Sequence, residues 1–284
     1  MRKSGEERMR EYEEGLKGEI PATHVSGSGR VSIPGIGEVR ISGSGHISSE
    51  EIRVSGSGHL PGGIRVGRVR SSGSVTIGGD IEAEEMHFSG SASIMGNVRA
   101  ASLTASGSFS ADGGATGGSM RFSGSSKIGD GVQLEDSLIA YGSLTVRGDV
   151  EAQNLVELDG SFDIDGKLAT RTFKAELSRS RSHIKNGIQA DHVDVRKGRG
   201  TDAVLFGLPI FGRGSREGYL VTTDIVAREE VYLENVRCDS VTGGDVTIGE
   251  GCEVRGRVRY SGTVEVNPTA KVQGHPEKVA SREG

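Results

Sequence analysis

The chain has 284 residues, of which 33% are hydrophobic and 4% aromatic, with no tryptophan, so too few large side chains exist for the core of a large α/β enzyme. Its 46 glycines, more than twice the usual share of about 7%, accompany only six prolines, which excludes collagen. A formal net charge of −5, from 34 basic and 39 acidic residues, gives no electrostatic basis for binding nucleic acid.

Residues 1–19 are charged and lack an apolar helix face wide enough to be buried, so the sequence predicts a flexible N-terminal tail. This segment has no apolar stretch of the secretory-signal type, and no apolar run in the chain approaches the ~20 residues that span a membrane. The two cysteines, Cys238 and Cys252, are too few for a disulfide framework and are predicted to be small core residues. These features together predict a cytoplasmic protein.

From residue 20 to residue 196 a short serine–glycine corner recurs at a nearly constant interval. The corner glycines are Gly27, Gly43, Gly56, Gly73, Gly90, Gly107, Gly124, Gly142 and Gly160. From Gly56 onwards their spacing along the chain is almost uniform, whereas the two steps before Gly56 are shorter. A nearly fixed period of this length predicts that each repeat is one structural unit stacked on its neighbours.

Apolar residues keep the same period and fall into five columns. Within one repeat they alternate with polar residues, as in Ile81-Glu82-Ala83, which is the strand period of two rather than the helical 3.6. One predicted column contains Val69, Met86, Leu103, Met120, Leu138, Leu155 and Phe173. The sequence therefore predicts an all-β fold, a right-handed parallel β-helix (β-solenoid) with coils of about 17–18 residues in parallel register about 4.8 Å apart.

The alternative solenoid is the left-handed hexapeptide helix of acyltransferases, whose coils also have ~18 residues. The segment 248–254 fits one hexad, but through several coils the interval between corner glycines is not a multiple of six, which favours the right-handed form. Two other functions go with the alternatives: an acyltransferase that uses an acyl-CoA donor, and a surface adhesin or carbohydrate-binding solenoid.

The repeat breaks at residues 197–218, resumes over residues 219–273, and is followed by a predicted polar tail over residues 274–284. The break carries an apolar cluster beside arginines, which suits either a membrane or partner surface or a loop folded back on the solenoid. Its candidate residues are Leu205, Phe206, Leu208, Ile210, Phe211 and Arg213.

The sequence offers little chemistry. His46 and His59 both follow Ser-Gly-Ser-Gly and are predicted to stack on adjacent coils, but nothing nearby supplies a third metal ligand. The corner aspartates, such as Asp80 and Asp149, are expected to bond their own turns. No catalytic, cofactor-binding or metal-binding residue is predicted, and neither is an enzyme activity or a small-molecule substrate.

Both ends of a solenoid expose unpaired backbone groups above an apolar core, and neither tail of this chain has the pattern of an apolar-faced cap. We therefore expect the ends to stack on neighbouring copies as added strands do, although tails folded over the ends of a monomer remain the alternative. The predicted polymer-interface residues are Val25, Val31, Ile33, Val264, Val266 and Val272.

The corners, the period and the segment Gly244–Gly249 give residues 20–273 a resemblance to the bactofilins, a family of polymer-forming cytoskeletal proteins. The resemblance implies a right-handed β-helix that assembles end to end, without nucleotide, into filaments that scaffold envelope-associated or shape-determining proteins. It also implies a place in the cytoplasm, peripheral to the inner face of the membrane. The chain lacks the apolar N-terminal targeting segment of that family, so direct N-terminal anchoring is not expected.

Overall fold

A computed structural model describes residues 22–33, 37–198, 204–205, 208–209 and 218–280. The chain divides into two compact units, residues 1–113 (unit 1) and residues 114–284 (unit 2). In the described residues every regular element is a β-strand, and each unit is a β-solenoid with ~17-residue coils, which confirms the predicted all-β solenoid.

Unit 1 is built from six strands, counted over its described residues. They are β1 (Thr23–Ile33), β2 (Gly37–Ile47), β3 (Glu51–Pro61), β4 (Ile64–Gly78), β5 (Ile81–Ile94) and β6 (Val98–Ala111). From β3 onwards neighbouring strands are parallel and offset by one repeat, so that Ile64 lies opposite Ile81 and Ile81 opposite Val98. The inward residues of each coil therefore stack on those of the next.

One coil of unit 1 has three walls, as β5 shows. Ile81 and Ala83 line the first wall, the second begins after the strand pairing skips Glu84, and the Ser-Gly-Ser corner at Gly90 leads to the third. Only the inward positions are buried, which is the alternation that the sequence predicts. The corner requires glycine because its φ is +118° and because a Cβ there would overlap the carbonyl oxygen of Gly73 on the preceding coil.

The direction of the first three strands differs from the prediction. The predicted parallel stacking from residue 20 is wrong for the first three strands: β1 pairs antiparallel with β2, and β2 pairs antiparallel with β3. The β2–β3 hairpin closes through bonds between Ser48 and Glu51. Because the corner glycines of these strands follow one another at shorter steps, too little chain is available here for a third wall. The strands instead form a meander that leads into the first parallel pair, β3–β4.

The inward residues around each corner follow a packing rule. We define a corner pair as the two inward residues that lie two positions before and two positions after the corner glycine. In unit 1 one member of each pair is larger than the other. The pairs are Val25/Gly29, Ile41/Gly45, Val54/Gly58, Ser71/Val75, Phe88/Ala92 and Ala105/Phe109.

Neighbouring strands place the large member of one corner pair opposite the small member of the next. In the parallel pair β5–β6, Phe88 lies opposite Ala105, and Ala92 lies opposite Phe109. Placing large opposite small avoids both voids and overlap in a thin core, either of which would be destabilising.

The same rule accounts for the antiparallel meander. The corner pairs of β1, β2 and β3 all have the large residue first, so parallel stacking would place large on large and glycine on glycine. Antiparallel pairing instead puts Val25 opposite Gly45 and Ile41 opposite Gly58. From β4 onwards the order reverses at each coil, and the strands are parallel.

Unit 2 begins with regular coils and ends with shorter strands. In its described residues the strands before the break are β7 (Ala115–Ile128), β8 (Val132–Leu134), β9 (Ser137–Val146), β10 (Val150–Ile164), β11 (Leu168–Leu177), β12 (Arg181–Ile184) and β13 (Ile188–Lys197). A separate two-stranded hairpin consists of β14 (Val204–Leu205) and β15 (Leu208–Pro209). The strands after it are β16 (Tyr219–Thr222), β17 (Asp224–Leu233), β18 (Val236–Cys238), β19 (Ser240–Gly243), β20 (Asp245–Ile248), β21 (Glu253–Val254), β22 (Val258–Tyr260), β23 (Val264–Val266), β24 (Lys271–Val272) and β25 (Glu277–Lys278).

The break interrupts one coil of unit 2, but the strands that follow it still pair in parallel with strands that precede it. The two strands after the break pair in parallel with the two strands before it: β16 with β12, and β17 with β13. The chain leaves the coil at Gly198, whose amide donates to Leu177 O at 2.8 Å. It returns at Gly218, where a Cβ would overlap the carbonyl oxygen of Ser178. The inserted segment thus leaves and rejoins one corner of the solenoid.

Two details of unit 2 differ from the prediction. Val156, not Leu155, continues the fourth column: it lies opposite Leu138 in a β9–β10 pair of constant register, and it is fully buried. The solenoid also extends past residue 273, since β25 pairs in parallel with β22 within the segment predicted to be a polar tail.

Candidate assembly surfaces

The last coil of unit 2 carries an apolar surface that the coil before it does not. Its inward positions continue the buried columns, with Val264 opposite Val246 and Val266 opposite Ile248. Ile248 is completely buried, whereas Val266 is 39% exposed and Val264 is half-buried. Val272 is likewise half-buried opposite a buried valine of β21. The core columns therefore reach the outer side of this coil partly uncovered.

The same coil has a free backbone edge. β23, β24 and β25 each pair with one strand of the preceding coil, and no described strand lies on their other side. Val279, just beyond β25, is 36% exposed. We call Val264, Val266, Val272 and Val279 together with these strand edges the terminal coil surface. It combines unpaired N–H and C=O groups with apolar side chains, which is what strand addition requires.

A second candidate surface is the outer edge of β1 in unit 1. Among the described strands only β2 pairs with β1. Val25 and Val31, predicted as interface residues, are half-buried on this strand. The backbone of Ile33 belongs to β1, but its side chain lies outside the described residues.

The predicted apolar loop lies mostly outside the described residues. Leu205 and Leu208 belong to the β14–β15 hairpin, where they lie opposite each other, and nothing more is described of them. The side chains of Phe206, Ile210, Phe211 and Arg213 fall in ranges that the structure does not describe. The predicted membrane or partner surface therefore stays a prediction from the sequence.

The histidines do not pair as predicted. His46 and His59 lie on antiparallel strands, where His59 is opposite Arg40 and His46 is opposite Arg53. His46 instead meets His24 of β1, with 3.4 Å between the two Nδ1 atoms. Over the described ranges no group of three or more histidine, cysteine, aspartate or glutamate side chains is placed to hold a metal ion.

The cysteines are buried, and the corner aspartates bond to neighbouring coils. Burial raises the pKa of the Cys238 thiol to about 12 and that of Cys252 to about 11, and both thiols are free. Asp80 and Asp149 do not bond their own turns as expected. Each accepts the amide of the next coil at 2.7 Å, from Asn97 and Lys167 respectively, and so ties one coil to another.

Comparison of the chain with protein-family models, curated proteins and solved structures finds no match. In the part of the chain that the structure describes, no helix has the length and apolar character needed to cross a membrane. The geometry of the two surfaces is therefore the basis on which a function can be inferred.

Proposed function

We propose that this protein is a structural, self-assembling scaffold of the bactofilin type. Its copies stack end to end, without nucleotide, into cytoplasmic filaments that support envelope-associated or shape-determining proteins. The proposal includes a right-handed helix and no enzyme activity. It rests on one observation above all: columns that are fully buried at Ile248 become exposed at Val266 one coil later.

Physical chemistry supports stacking at the terminal coil surface. Burying the partly exposed side chains of Val264, Val266 and Val272 gains free energy in proportion to their apolar area, at roughly 25 cal/mol per Å². A stacked strand also satisfies the backbone groups on the free edges of β23, β24 and β25, at the same spacing that separates coils within each unit. A second copy offers both the apolar columns and the strand edges that this surface matches.

The experiment is negative-stain electron microscopy of the purified chain at micromolar concentration. We expect filaments from the wild type and none from the double variant Val264→Asp, Val266→Asp, because the joint would then bury carboxylates. Val226→Asp is the matched control, since Val226 is 43% exposed on the outer face of β17 and should leave filaments intact. Monodisperse wild-type particles, or equal assembly of all three proteins, would contradict the proposal.

One observation favours the acyltransferase alternative. In the last coils of unit 2, Val246, Cys252, Val258 and Val264 follow one another at every sixth position, which is the spacing of hexapeptide repeats. Such enzymes act as trimers whose catalytic histidine lies between subunits. A trimer in light scattering that binds acyl-CoA and forms no filaments would support this function over the scaffold.

A further inference from the structure

The outer edge of β1 has the sequence pattern of two strands that already pair with each other in unit 1. In β2 the segment around the corner is Ile41-Ser-Gly-Ser-Gly-His-Ile47, and in β3 it is Val54-Ser-Gly-Ser-Gly-His-Leu60. These nearly identical segments pair antiparallel, with Gly43 opposite Gly56. In β1 the segment is Val25-Ser-Gly-Ser-Gly-Arg-Val31, which differs from them chiefly by arginine in place of histidine.

The space beside Gly27 shows which edge of β1 lacks a neighbour. At Gly43 and Gly56 a Cβ would overlap a carbonyl oxygen of the facing strand, that of Ser55 and Ser42 respectively. At Gly27, with φ +88°, the corresponding position has nothing within 4 Å among the described residues. The outer edge of β1 therefore matches the edge of β2 that β3 covers.

We infer that β1 pairs antiparallel with β1 of a second copy about a two-fold axis through Gly27. In this register Val25 lies opposite Gly29 of the other copy, and Gly29 opposite its Val25. Large again faces small, as Ile41 faces Gly58 and as Gly45 faces Val54 in the β2–β3 pair. The half-exposed Val25 and Gly29 would both become covered.

The outward row of side chains fits the same register. His24 comes to lie opposite Arg30 of the other copy, and Arg30 opposite its His24. The β2–β3 pair already accommodates this combination twice, as Arg40 opposite His59 and His46 opposite Arg53. The serines also match, because Ser26 lies opposite Ser28 of the other copy. The contact is isologous, the common form of homodimer interface.

This contact specifies one joint of the proposed filament, but it stands as a dimer contact even if filaments do not form. Disulfide trapping tests its register, because opposed residues of antiparallel strands bring Cα atoms within ~4.5–5.5 Å, inside the range for a disulfide. Ser26→Cys and Ser28→Cys are purified separately, mixed and oxidised. The native Cys238 and Cys252 are buried and do not compete.

We expect cross-linked dimers from the mixture and little from either variant alone. The matched control is a mixture of Ser72→Cys and Ser74→Cys, which flank the corner of β4, a strand already paired on both sides. It should give no cross-link. A mixture that does not exceed this control, or Ser26→Cys that cross-links with itself as well as with Ser28→Cys, would overturn the inferred register.

A second pair of variants distinguishes loss of the contact between copies from the backbone strain that alanine introduces at a positive φ. In the dimer, Gly27→Ala places its Cβ against the carbonyl oxygen of Ser26 in the other copy. Gly63→Ala has similar backbone strain, with φ +75° and nothing within 4 Å. We expect Gly27→Ala to lower cross-linking at least about tenfold, the effect of about 1.4 kcal/mol, and Gly63→Ala to leave it unchanged; equal yields would refute the contact.

The two proposals fail in different ways. Filaments without the Ser26–Ser28 cross-link would refute the two-fold β1 contact and leave the scaffold function standing. Cross-linked dimers from the Val264→Asp, Val266→Asp variant, with no filaments from the wild type, would support the β1 contact and refute the scaffold.

Discussion

The corner-pair rule predicts that a damaging substitution in the core cannot be rescued across the corner, because the moved ring would face another large side chain on the next coil. Phe88 is 1% exposed, and its ring centroid lies 6.1 Å from that of Phe109. Phe88→Ala should cost about 3–5 kcal/mol in free energy of unfolding, because it removes a buried ring and leaves a cavity. Ala92→Phe alone should cost about 1–3 kcal/mol, because it overfills the core where Phe88 already occupies the space.

The double variant Phe88→Ala, Ala92→Phe exchanges the large and small members of the pair. Since the new ring would lie opposite Phe109 on the next coil and Val75 on the preceding one, it cannot fill the cavity without placing large on large. The destabilisation should therefore stay within about 0.5 kcal/mol of the sum of the single effects. Urea unfolding followed by far-ultraviolet circular dichroism, at a concentration below that of assembly, measures all four proteins. Phe88→Ala combined with Ala190→Phe, a buried site outside any corner pair, is the control and should be additive. A coupling energy well above that of the control, which would show rescue, would refute the rule.

Three further predictions follow from local surroundings. Cys238 and Cys252, whose burial raises both pKa values, should react with a thiol reagent only after unfolding; rapid labelling of the folded protein would contradict their place in the core. Gly90→Ala should lower the urea midpoint, because its Cβ would strike the preceding coil; an unchanged midpoint would argue against the coil register. The bond from Lys185 lowers the pKa of Asp165. Its contribution to stability is therefore present above the unfolded pKa of about 3.9 and lost as the pH falls through the lower folded value, so Asp165→Asn should flatten the acid dependence of the urea midpoint. An unaltered acid dependence would contradict that account.

The period and the alternation were sufficient to predict the strands, the stacked columns and the solenoid, because every coil must bury the same positions. The direction of the first strands could not be read from the corner itself, since Ser-Gly-Ser is the same in both directions. Two signals in the sequence were available: the shortened steps between the first corner glycines, and the repeated order of valine or isoleucine before glycine in Val25/Gly29 and Ile41/Gly45.

The candidate surfaces were only partly predictable. Alternation identified Val264 and Val266 as inward residues, but their exposure depends on what lies beyond them, which a periodic pattern does not encode. Leu155 was misplaced by one residue because Leu155 and Val156 are adjacent and both apolar, so their spacing alone does not show which of them points inward. The pairing of His46 with His24 depends on strand direction, and it could not be predicted while the strands were taken to be parallel.

Cryo-electron microscopy of the assembled protein tests the central claim most directly. Stacking at the terminal coil surface predicts filaments in which the strand spacing of ~4.8 Å continues without interruption from β23–β25 into the next copy, with Val264 and Val266 buried at the joint. Single chains that do not associate, or a joint in which these valines stay exposed to solvent, would contradict it.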